Sequence, residues 1–218
     1  MLENLTQTQL LIAIVGGYLL GSIPFGVLAT RLGGAGDVRK IGSGNIGATN
    51  VLRTGRRDLA LITLLGDGGK GAVAVLIAWL LTRDAPETAQ ATLKSLAGGA
   101  AFLGHIFPVW LRFKGGRGVA TFFGTLLAAC WPVGVFAALT WILVALITRI
   151  SSLSALTAAA LAPLFVFMTD SPHAYALLGL GMAVLIFIRH IDNIRRILKG
   201  EEPRIGEKKD AAPAEPAA

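Results

Sequence analysis

Long hydrophobic stretches constrain the fold of this chain more than any other feature of its sequence. Leu10 to Thr30 is 21 residues without a charge, and as a helix it would be about 31 Å long, close to a hydrocarbon core of about 30 Å. Comparable stretches cover residues 59–81, 95–111, 118–148, 150–169 and 171–188. With 54% hydrophobic and 15% charged residues, the 218-residue chain is predicted to be an all-α membrane protein.

The stretch from Gly118 to Thr148 decides the predicted number of spans. Its 31 uncharged residues would make about 46 Å of helix, and Trp131-Pro132-Val133-Gly134 near its middle is typical of a turn. A hairpin at that point gives about seven transmembrane helices and places 17 of the 20 lysines and arginines on one face. A single span would divide them almost evenly, so the positive-inside rule favours seven spans, with the glycine-rich loops facing the cytoplasm.

Charge and cysteine content exclude several classes of function. The net charge of +7 lies in short loops beside spans, where membrane orientation and anionic headgroups account for it, so no nucleic-acid partner is expected. The single cysteine, Cys130, rules out an intrachain disulfide. Three scattered histidines and one cysteine suggest no metal site, and the sequence suggests no cofactor.

Two glycine-rich loops have the composition of phosphate-binding sites. Glycine backbone turns can point N–H groups at an anion, and nearby cations and hydroxyls add charge and hydrogen bonds. A connecting loop with solvated cations is equally compatible with the first loop alone, but two such loops in one small membrane protein favour anion binding. The candidate residues are Gly42, Ser43, Gly44, Asn45, Gly47, Thr49, Asn50 and Arg53 in the first loop, and Lys114, Gly115, Gly116, Arg117 and Gly118 in the second.

Three ionisable residues within or beside the spans are candidates for a supporting role. Asp67 and Lys70 lie three residues apart and therefore on one helical face, where they form either a structural ion pair or a support beneath the site. His105 is either a satisfied interfacial histidine or part of the same support. Residues 1–202 are predicted to form one membrane domain that ends in an amphipathic basic segment, and 203–218 a disordered tail.

Three blocks of residues together resemble the bacterial acylphosphate:glycerol-3-phosphate acyltransferases of the PlsY type. The first is Gly42-Ser43-Gly44-Asn45-Ile46-Gly47-Ala48-Thr49-Asn50 with Arg53. The second is His105-Ile106-Phe107-Pro108 with Phe113-Lys114-Gly115-Gly116-Arg117-Gly118-Val119-Ala120-Thr121. The third is Ser152-Leu153 with Arg189-His190, Asn193-Ile194, Gly200 and Glu202. Two departures are Arg117, where the family often has lysine, and Ala155, where some relatives have serine.

The resemblance implies a multi-pass enzyme of the bacterial inner membrane with its site facing the cytoplasm. Such an enzyme transfers a fatty acyl group from acyl phosphate to the 1-hydroxyl of sn-glycerol 3-phosphate and yields lysophosphatidic acid and inorganic phosphate. Its partners are these substrates, the bilayer and, functionally, the enzyme that makes acyl phosphate. By motif position Ser43, Arg53, His190 and Asn193 would be catalytic, and Ser152 and Glu202 supporting.

Chemistry suggests direct attack by the glycerol hydroxyl, because phosphate is already a good leaving group. His190 or the substrate's own phosphate would take the proton. The acyl chain is expected in an apolar groove beside the third block. The competing interpretation is a membrane transporter of phosphate or a small organic anion, which would require ionisable groups along a midplane path and an inverted repeat. Only Asp67 and Lys70 lie within a predicted span, and no repeat is visible.

Overall fold

Seven long helices and one amphipathic helix make up the fold. The computed structural model describes residues 4–206, and within that range the regular structure is helical. The helices are α1 (Gln7–Leu32), α2 (Arg57–Thr82), α3 (Glu87–Ile106), α4 (Val119–Ala129), α5 (Trp131–Thr148), α6 (Ser151–Met168), α7 (Ala174–Arg189) and α8 (Ile191–Leu198). The all-α membrane fold is therefore confirmed.

Length and apolarity qualify four of these helices as membrane spans. They are α1, α2, α5 and α6, and a fifth is added if α7 and α8, which meet at a bend of 65°, count as one broken span. Helix α4 has 11 residues, only about 16 Å. The count of seven spans stays a prediction.

Helix α1 is interrupted where its sequence carries proline. It has a π-helical turn at Ile12–Gly16, and its regular backbone stops at Gly21 and restarts at Phe25, after Pro24. Proline removes a backbone donor and breaks the hydrogen-bond ladder. At this break Lys70 Nζ from α2 donates to Ile23 O over 3.0 Å. A side chain of a neighbouring helix thus satisfies a carbonyl at the break.

The chain turns back on itself between α4 and α5, as a hairpin requires. Cys130 alone separates the two helices, and a Cβ on Gly134 would lie 2.7 Å from Leu127 Cα. The predicted turn at residues 131–134 is placed slightly late, because Trp131 and Pro132 already form the first turn of α5. Proline is compatible with that position, since a first-turn N–H has no helical partner.

Close helix crossings depend on glycine. The backbone of Gly124 in α4 lies against Gly68 in α2, and Gly21 in α1 lies against Ala101 in α3. Small residues permit such approach between membrane helices. An apolar cluster that includes Phe102, Phe122 and Met182 joins helices α2 to α7, and two smaller clusters involve α1 and its neighbours.

The described chain continues past the predicted boundary at residue 203. Ile205 N donates to Arg149 O over 2.7 Å, and Arg149 Nη2 donates to Ile205 O over 2.7 Å. The segment after α8 is therefore fastened to the end of α5. The rest of the predicted disordered tail, residues 207–218, lies outside the described residues.

Candidate active site

Asn50 organises the first glycine loop. Its buried side chain donates from Nδ2 to the carbonyls of Val38, Ile41 and Asn45 over 2.8–3.0 Å. Its Oδ1 accepts from Ser43 N at 3.1 Å and from Arg53 Nη1 at 3.2 Å. These bonds occupy the amide within the loop, so in this arrangement Asn50 holds Ser43 and Arg53 in place rather than presenting its own donors to a ligand.

The exposed part of this loop is formed by the other predicted residues. Gly42 has φ 54° and Gly44 has φ 70°, a region that favours glycine, and a Cβ on Gly42 would lie 2.6 Å from Arg53 Cδ. Ser43, Gly44 and Thr49 are exposed, and Asn45 and Gly47 are half-buried. Beside the exposed Arg53, this surface can meet an anion.

The second loop is fixed to the end of α3 by its own peptide groups. Gly115 N donates to Ile106 O and Gly116 N donates to His105 O, each over 3.1 Å. A Cβ on Gly115 would lie 2.6 Å from Ile106 O, and one on Gly116 would lie 2.8 Å from His105 Cε1. These two glycines therefore serve close packing, and their N–H groups are used within the protein.

Asp67, Lys70 and His105 form a buried cluster beneath the second loop. Asp67 Oδ1 accepts from Lys70 Nζ at 2.9 Å and lies 3.5 Å from His105 Nδ1. All three side chains are at most 3% exposed. Because the His105 ring lies against Gly116, the predicted support beneath the site is present geometrically, as is the ion pair.

Arg117 is half-buried and lies within the electrostatic influence of cations from the first and third blocks. Burial lowers the pKa of the Arg117 guanidinium, the charges of Arg196, Arg189 and Arg53 lower it further, and Glu202 opposes them. Arg53 precedes α2, Arg117 precedes α4, Arg189 ends α7 and Arg196 lies in α8. Arg189 brings the end of α7 into contact with the second loop, and the meeting of all three blocks in one site stays a prediction. Lys114 is exposed on the same loop.

Glu202 joins the third block into one cluster. Its Oε1 accepts from Ser152 Oγ at 2.7 Å and from Asn193 Nδ2 at 2.5 Å, and its Oε2 accepts from Arg196 Nε at 2.6 Å. Burial would raise the pKa of Glu202, but the hydrogen bonds from Asn193, Ser152 and Arg196 outweigh it and hold that pKa below its usual value. The ionised carboxylate therefore fastens α8 to the start of α6.

His190 and Asn193 each retain one acceptor atom. His190 lies in the bend after α7, and its Nδ1 is 2.8 Å from Ile186 O. Because a carbonyl only accepts, Nδ1 carries the proton and Nε2 is the ring's acceptor. Burial, with Arg117 and Arg189 nearby, lowers the pKa of His190 to about 4. Asn193 Oδ1 is buried without a hydrogen-bond partner.

An apolar groove lies beside the third block, where one was expected. It encloses about 380 Å³ between α6, the end of α7 and α8. Its lining is Leu153, Leu156, Thr157, Ala160, Leu161, Phe187, Ile194, Ile197 and Leu198. Leu153 neighbours Ser152, and Ile194 neighbours Asn193, so this groove begins next to the polar cluster.

Two arginines of the site were given no role from the sequence, although Arg189 belongs to the third block. Arg189 donates from Nε to Gly116 O at 3.2 Å and from Nη2 to Gly115 O at 2.9 Å. Arg196 contacts Glu202. Helical spacing was an available signal for Arg196, because it follows Asn193 by three residues and so shares its face. No sequence signal connects Arg189 with a loop more than 70 residues earlier.

Comparison with known proteins identifies the family. A family model described as glycerol-3-phosphate acyltransferase matches residues 11–200. The chain belongs to the glycerol-3-phosphate acyltransferase family. A glycerol-3-phosphate acyltransferase of Caulobacter vibrioides is 68% identical over 206 residues, which cover 94% of this chain and 92% of that protein. One of Paramagnetospirillum magneticum is 60% identical over 202 residues, covering 92% and 96%.

Solved structures of the family have the same fold. A crystal structure of PlsY, an integral membrane glycerol 3-phosphate acyltransferase in its glycerol 3-phosphate form, superposes with a TM-score of 0.82 at 37% identity and covers 90% of this chain and 96% of its own. The lysophosphatidic acid form gives 0.80 at 36% identity, with coverage of 90% and 95%. The chain is thus an integral membrane acyltransferase of this family, as the sequence blocks predicted.

Proposed function

We propose that this enzyme transfers a fatty acyl group from acyl phosphate to the 1-hydroxyl of sn-glycerol 3-phosphate, giving lysophosphatidic acid and inorganic phosphate. The observation that carries the proposal is that Arg189, which directly precedes His190, bonds the carbonyls of Gly115 and Gly116 next to Arg117, while an apolar groove lies between α6, the end of α7 and α8. Both proposed substrates carry phosphate, so binding them side by side requires several cations. The acyl chain requires an apolar surface that opens next to those cations.

Arg53 and Arg117 are proposed to hold the two phosphate groups, with Lys114 adding charge at the rim. The hydroxyl of Ser43 donates to Asn50 Oδ1 over 3.3 Å in this structure, and it is proposed to turn from that acceptor to a phosphate oxygen when substrate binds. Orientation of two bound reactants can contribute up to about 7–11 kcal/mol of barrier reduction. In this proposal the loops therefore catalyse mainly by neutralising charge and by orienting the hydroxyl toward the acyl carbonyl.

Asn193 is suited to the attacking hydroxyl rather than to an anion. Its Nδ2 donates to Glu202, so the unpartnered atom is Oδ1, an acceptor. An acceptor can hold the glycerol O–H but would repel a phosphate oxygen. Asn193 is accordingly proposed to orient the hydroxyl, while Ser152 and Glu202 keep Asn193 in position.

The phosphate of a substrate is the better final proton acceptor. With a pKa of about 4, His190 is neutral at pH 7 but is a weak base. A phosphomonoester has a second pKa of about 6, closer to the working pH. The hydroxyl oxygen bonds to the acyl carbon, the acyl–phosphate bond breaks, and the proton ends on phosphate. His190 Nε2 is proposed to accept a hydrogen bond during that transfer.

The proposed setting is the bacterial inner membrane, with the cation-rich end of the bundle in the cytoplasm. Acyl phosphate would come from a separate enzyme, which is the proposed functional partner. The acyl chain would enter the groove between α6 and α8 sideways from the bilayer. No observation among residues 4–206 favours the transporter alternative.

The test is an assay of the purified protein in detergent with glycerol 3-phosphate and palmitoyl phosphate, measuring lysophosphatidic acid and phosphate. Palmitoyl-CoA in place of palmitoyl phosphate is the donor control. We expect turnover with the acyl phosphate and at most traces with the thioester. Turnover with palmitoyl-CoA alone would refute the proposed donor.

Substitution of Arg117 tests the proposed phosphate contact. Arg117→Ala should raise the KM for an anionic substrate at least tenfold. Arg195→Ala is the matched control, because Arg195 lies on α8 but is exposed and pairs with Asp192. An unchanged KM for both substrates in Arg117→Ala would contradict the assigned role.

A further inference from the structure

We infer that Arg189 is a positioning residue for the acyl transfer: its side chain fixes the second glycine loop to the end of α7. The inference rests on the proposed function and adds a residue to it. Arg189 donates two hydrogen bonds, Nε to Gly116 O at 3.2 Å and Nη2 to Gly115 O at 2.9 Å. This single side chain thereby connects the end of α7 to two glycines that lie 73 and 74 residues earlier in the chain.

These two hydrogen bonds connect residues that are direct neighbours of proposed site residues. Gly116 directly precedes Arg117, and Arg189 directly precedes His190. The distance between a phosphate held by Arg117 and the ring of His190 is therefore set across the Arg189 guanidinium. Loss of those bonds would leave both groups present but free to separate.

Among residues 4–206, Arg189 is the side chain that bonds the carbonyls of Gly115 and Gly116. The N–H groups of Gly115 and Gly116 bond to the end of α3, and their carbonyls point to Arg189. Each of these two glycines is thus held twice, through its N–H by α3 and through its carbonyl by Arg189 of α7. Because Gly116 has no Cβ, its backbone can lie directly against the buried His105 ring. This close packing keeps the two carbonyls within reach of the guanidinium.

Two neutral acceptors receive this guanidinium, so its charge is not cancelled by a carboxylate there. The planar fork of an arginine presents Nε and Nη2 to two neighbouring carbonyls in one fixed geometry, which a compact lysine ammonium on a flexible stem does not reproduce. Geometry and charge thus make different predictions for a lysine in this position. If Arg189 acts only through its charge, Arg189→Lys should keep wild-type kcat. If it acts through the geometry of its fork, Arg189→Lys should lose activity.

Steady-state kinetics of Arg189→Lys and Arg189→Gln separate these cases. We expect both variants to lose about 10- to 100-fold in kcat, because a displacement near 1 Å can cost about a hundredfold. The KM for glycerol 3-phosphate should rise less than about threefold, since Arg53 and Arg117 remain. Wild-type kcat in Arg189→Lys would overturn the inference. Arg195→Ala is the control for loss of a cation nearby.

Hydrogen–deuterium exchange gives a readout that does not depend on turnover. In Arg189→Lys the peptide covering 112–118 should exchange faster than in the wild type, whereas the first loop, 42–53, should exchange at the same rate. Unchanged exchange over 112–118 would overturn the inference. If the wild-type enzyme failed to use palmitoyl phosphate, the proposed donor would fall, but this measurement would still decide whether Arg189 holds the loop.

Discussion

Glu202→Gln should lower stability by the value of one charge-assisted hydrogen bond. Glutamine keeps an oxygen that can accept from Ser152 and Asn193, as Oε1 does now. Its amide nitrogen would face Arg196 Nε in place of Oε2, which now accepts at 2.6 Å. A hydrogen bond to a charged group contributes about 1.5–3 kcal/mol, and Arg196, 38% exposed, can recover part of it from water. We therefore expect a loss of about 2 kcal/mol.

Thermal unfolding in detergent, followed by intrinsic fluorescence, measures this loss. For a chain of this size about 1 kcal/mol corresponds to about 2–4 °C, so Tm should fall by about 4–8 °C. Glu202→Ala removes all three acceptor contacts and should fall further. Glu201→Gln is the control, because it removes the same charge from the neighbouring residue, which is exposed.

The ranking of the three variants is the critical outcome. The reasoning predicts that Glu202→Ala is least stable, followed by Glu202→Gln, with Glu201→Gln equal to the wild type. A Glu202→Gln protein as stable as the wild type would mean that Arg196 gains nothing from the carboxylate. A Glu202→Gln protein less stable than Glu202→Ala would mean that the amide is repelled, and the assignment of two retained acceptor contacts would be refuted.

Three further changes test the loops, the histidine and the groove. Gly116→Ala should lose about 1–3 kcal/mol by overpacking against His105, visible as a lower Tm, whereas Gly181→Ala, with open space around it, should lose nothing. Burial lowers the pKa of His190 to about 4 in the folded protein, whereas an unfolded histidine has a pKa of about 6.5. As pH falls below about 6.5, the unfolded chain therefore binds a proton first. The free energy of unfolding drops by up to about 3 kcal/mol by pH 4. Tm should thus decline less steeply over this window in His190→Asn, and parallel curves would contradict this. Ala160→Phe should reduce turnover of palmitoyl phosphate more than of octanoyl phosphate; an equal reduction would remove Ala160 from the acyl groove.

Hydropathy predicts the existence of the helices well but their limits less well. The third span was expected at 95–111, whereas α3 is Glu87–Ile106. Its first two turns contain Thr88, Gln90 and Lys94, which lower the hydropathy but do not disfavour a helix. The hydrophobic stretch therefore begins eight residues after the helix does. At the other end Pro108 disfavours the helical conformation in the preceding residue, and the helix stops before it.

Sequence reasoning collected the site residues but did not predict how they bond to each other. Asn50 and Gly115 were expected to contact phosphate, since amides and glycine N–H groups commonly do. In the folded protein Asn50 binds three carbonyls of its own loop, and Gly115 N–H binds the end of α3. The composition of a loop shows which hydrogen-bond donors it contains, but the path of the backbone decides which of them remain free to bind a ligand.

The buried pair Asp67 and Lys70 connects α1, α2 and α4 beneath the loops. Lys70 Nζ bonds both Asp67 Oδ1 and Ile23 O at the break in α1. Asp67 O accepts from Thr121 Oγ1 in α4 over 2.8 Å. Both charged side chains are 1% exposed. Burial makes the pair sensitive to the loss of one partner and tolerant of the loss of both charges.

Comparison of a single and a double variant tests this directly. Lys70→Met leaves the buried Asp67 carboxylate without its lysine, with only His105 Nδ1 beside it at 3.5 Å, and should cost about 3–5 kcal/mol. Asp67→Asn combined with Lys70→Met removes both charges at nearly constant volume, so it should be more stable than Lys70→Met alone, although Ile23 O still loses the bond from Lys70 and keeps only that from Phe25 N. Tm values of the two variants and the wild type give the order. If the double variant were less stable than Lys70→Met, the Asp67 carboxylate would stabilise the protein even without Lys70, and the reasoning that an unpaired buried charge is costly here would be refuted.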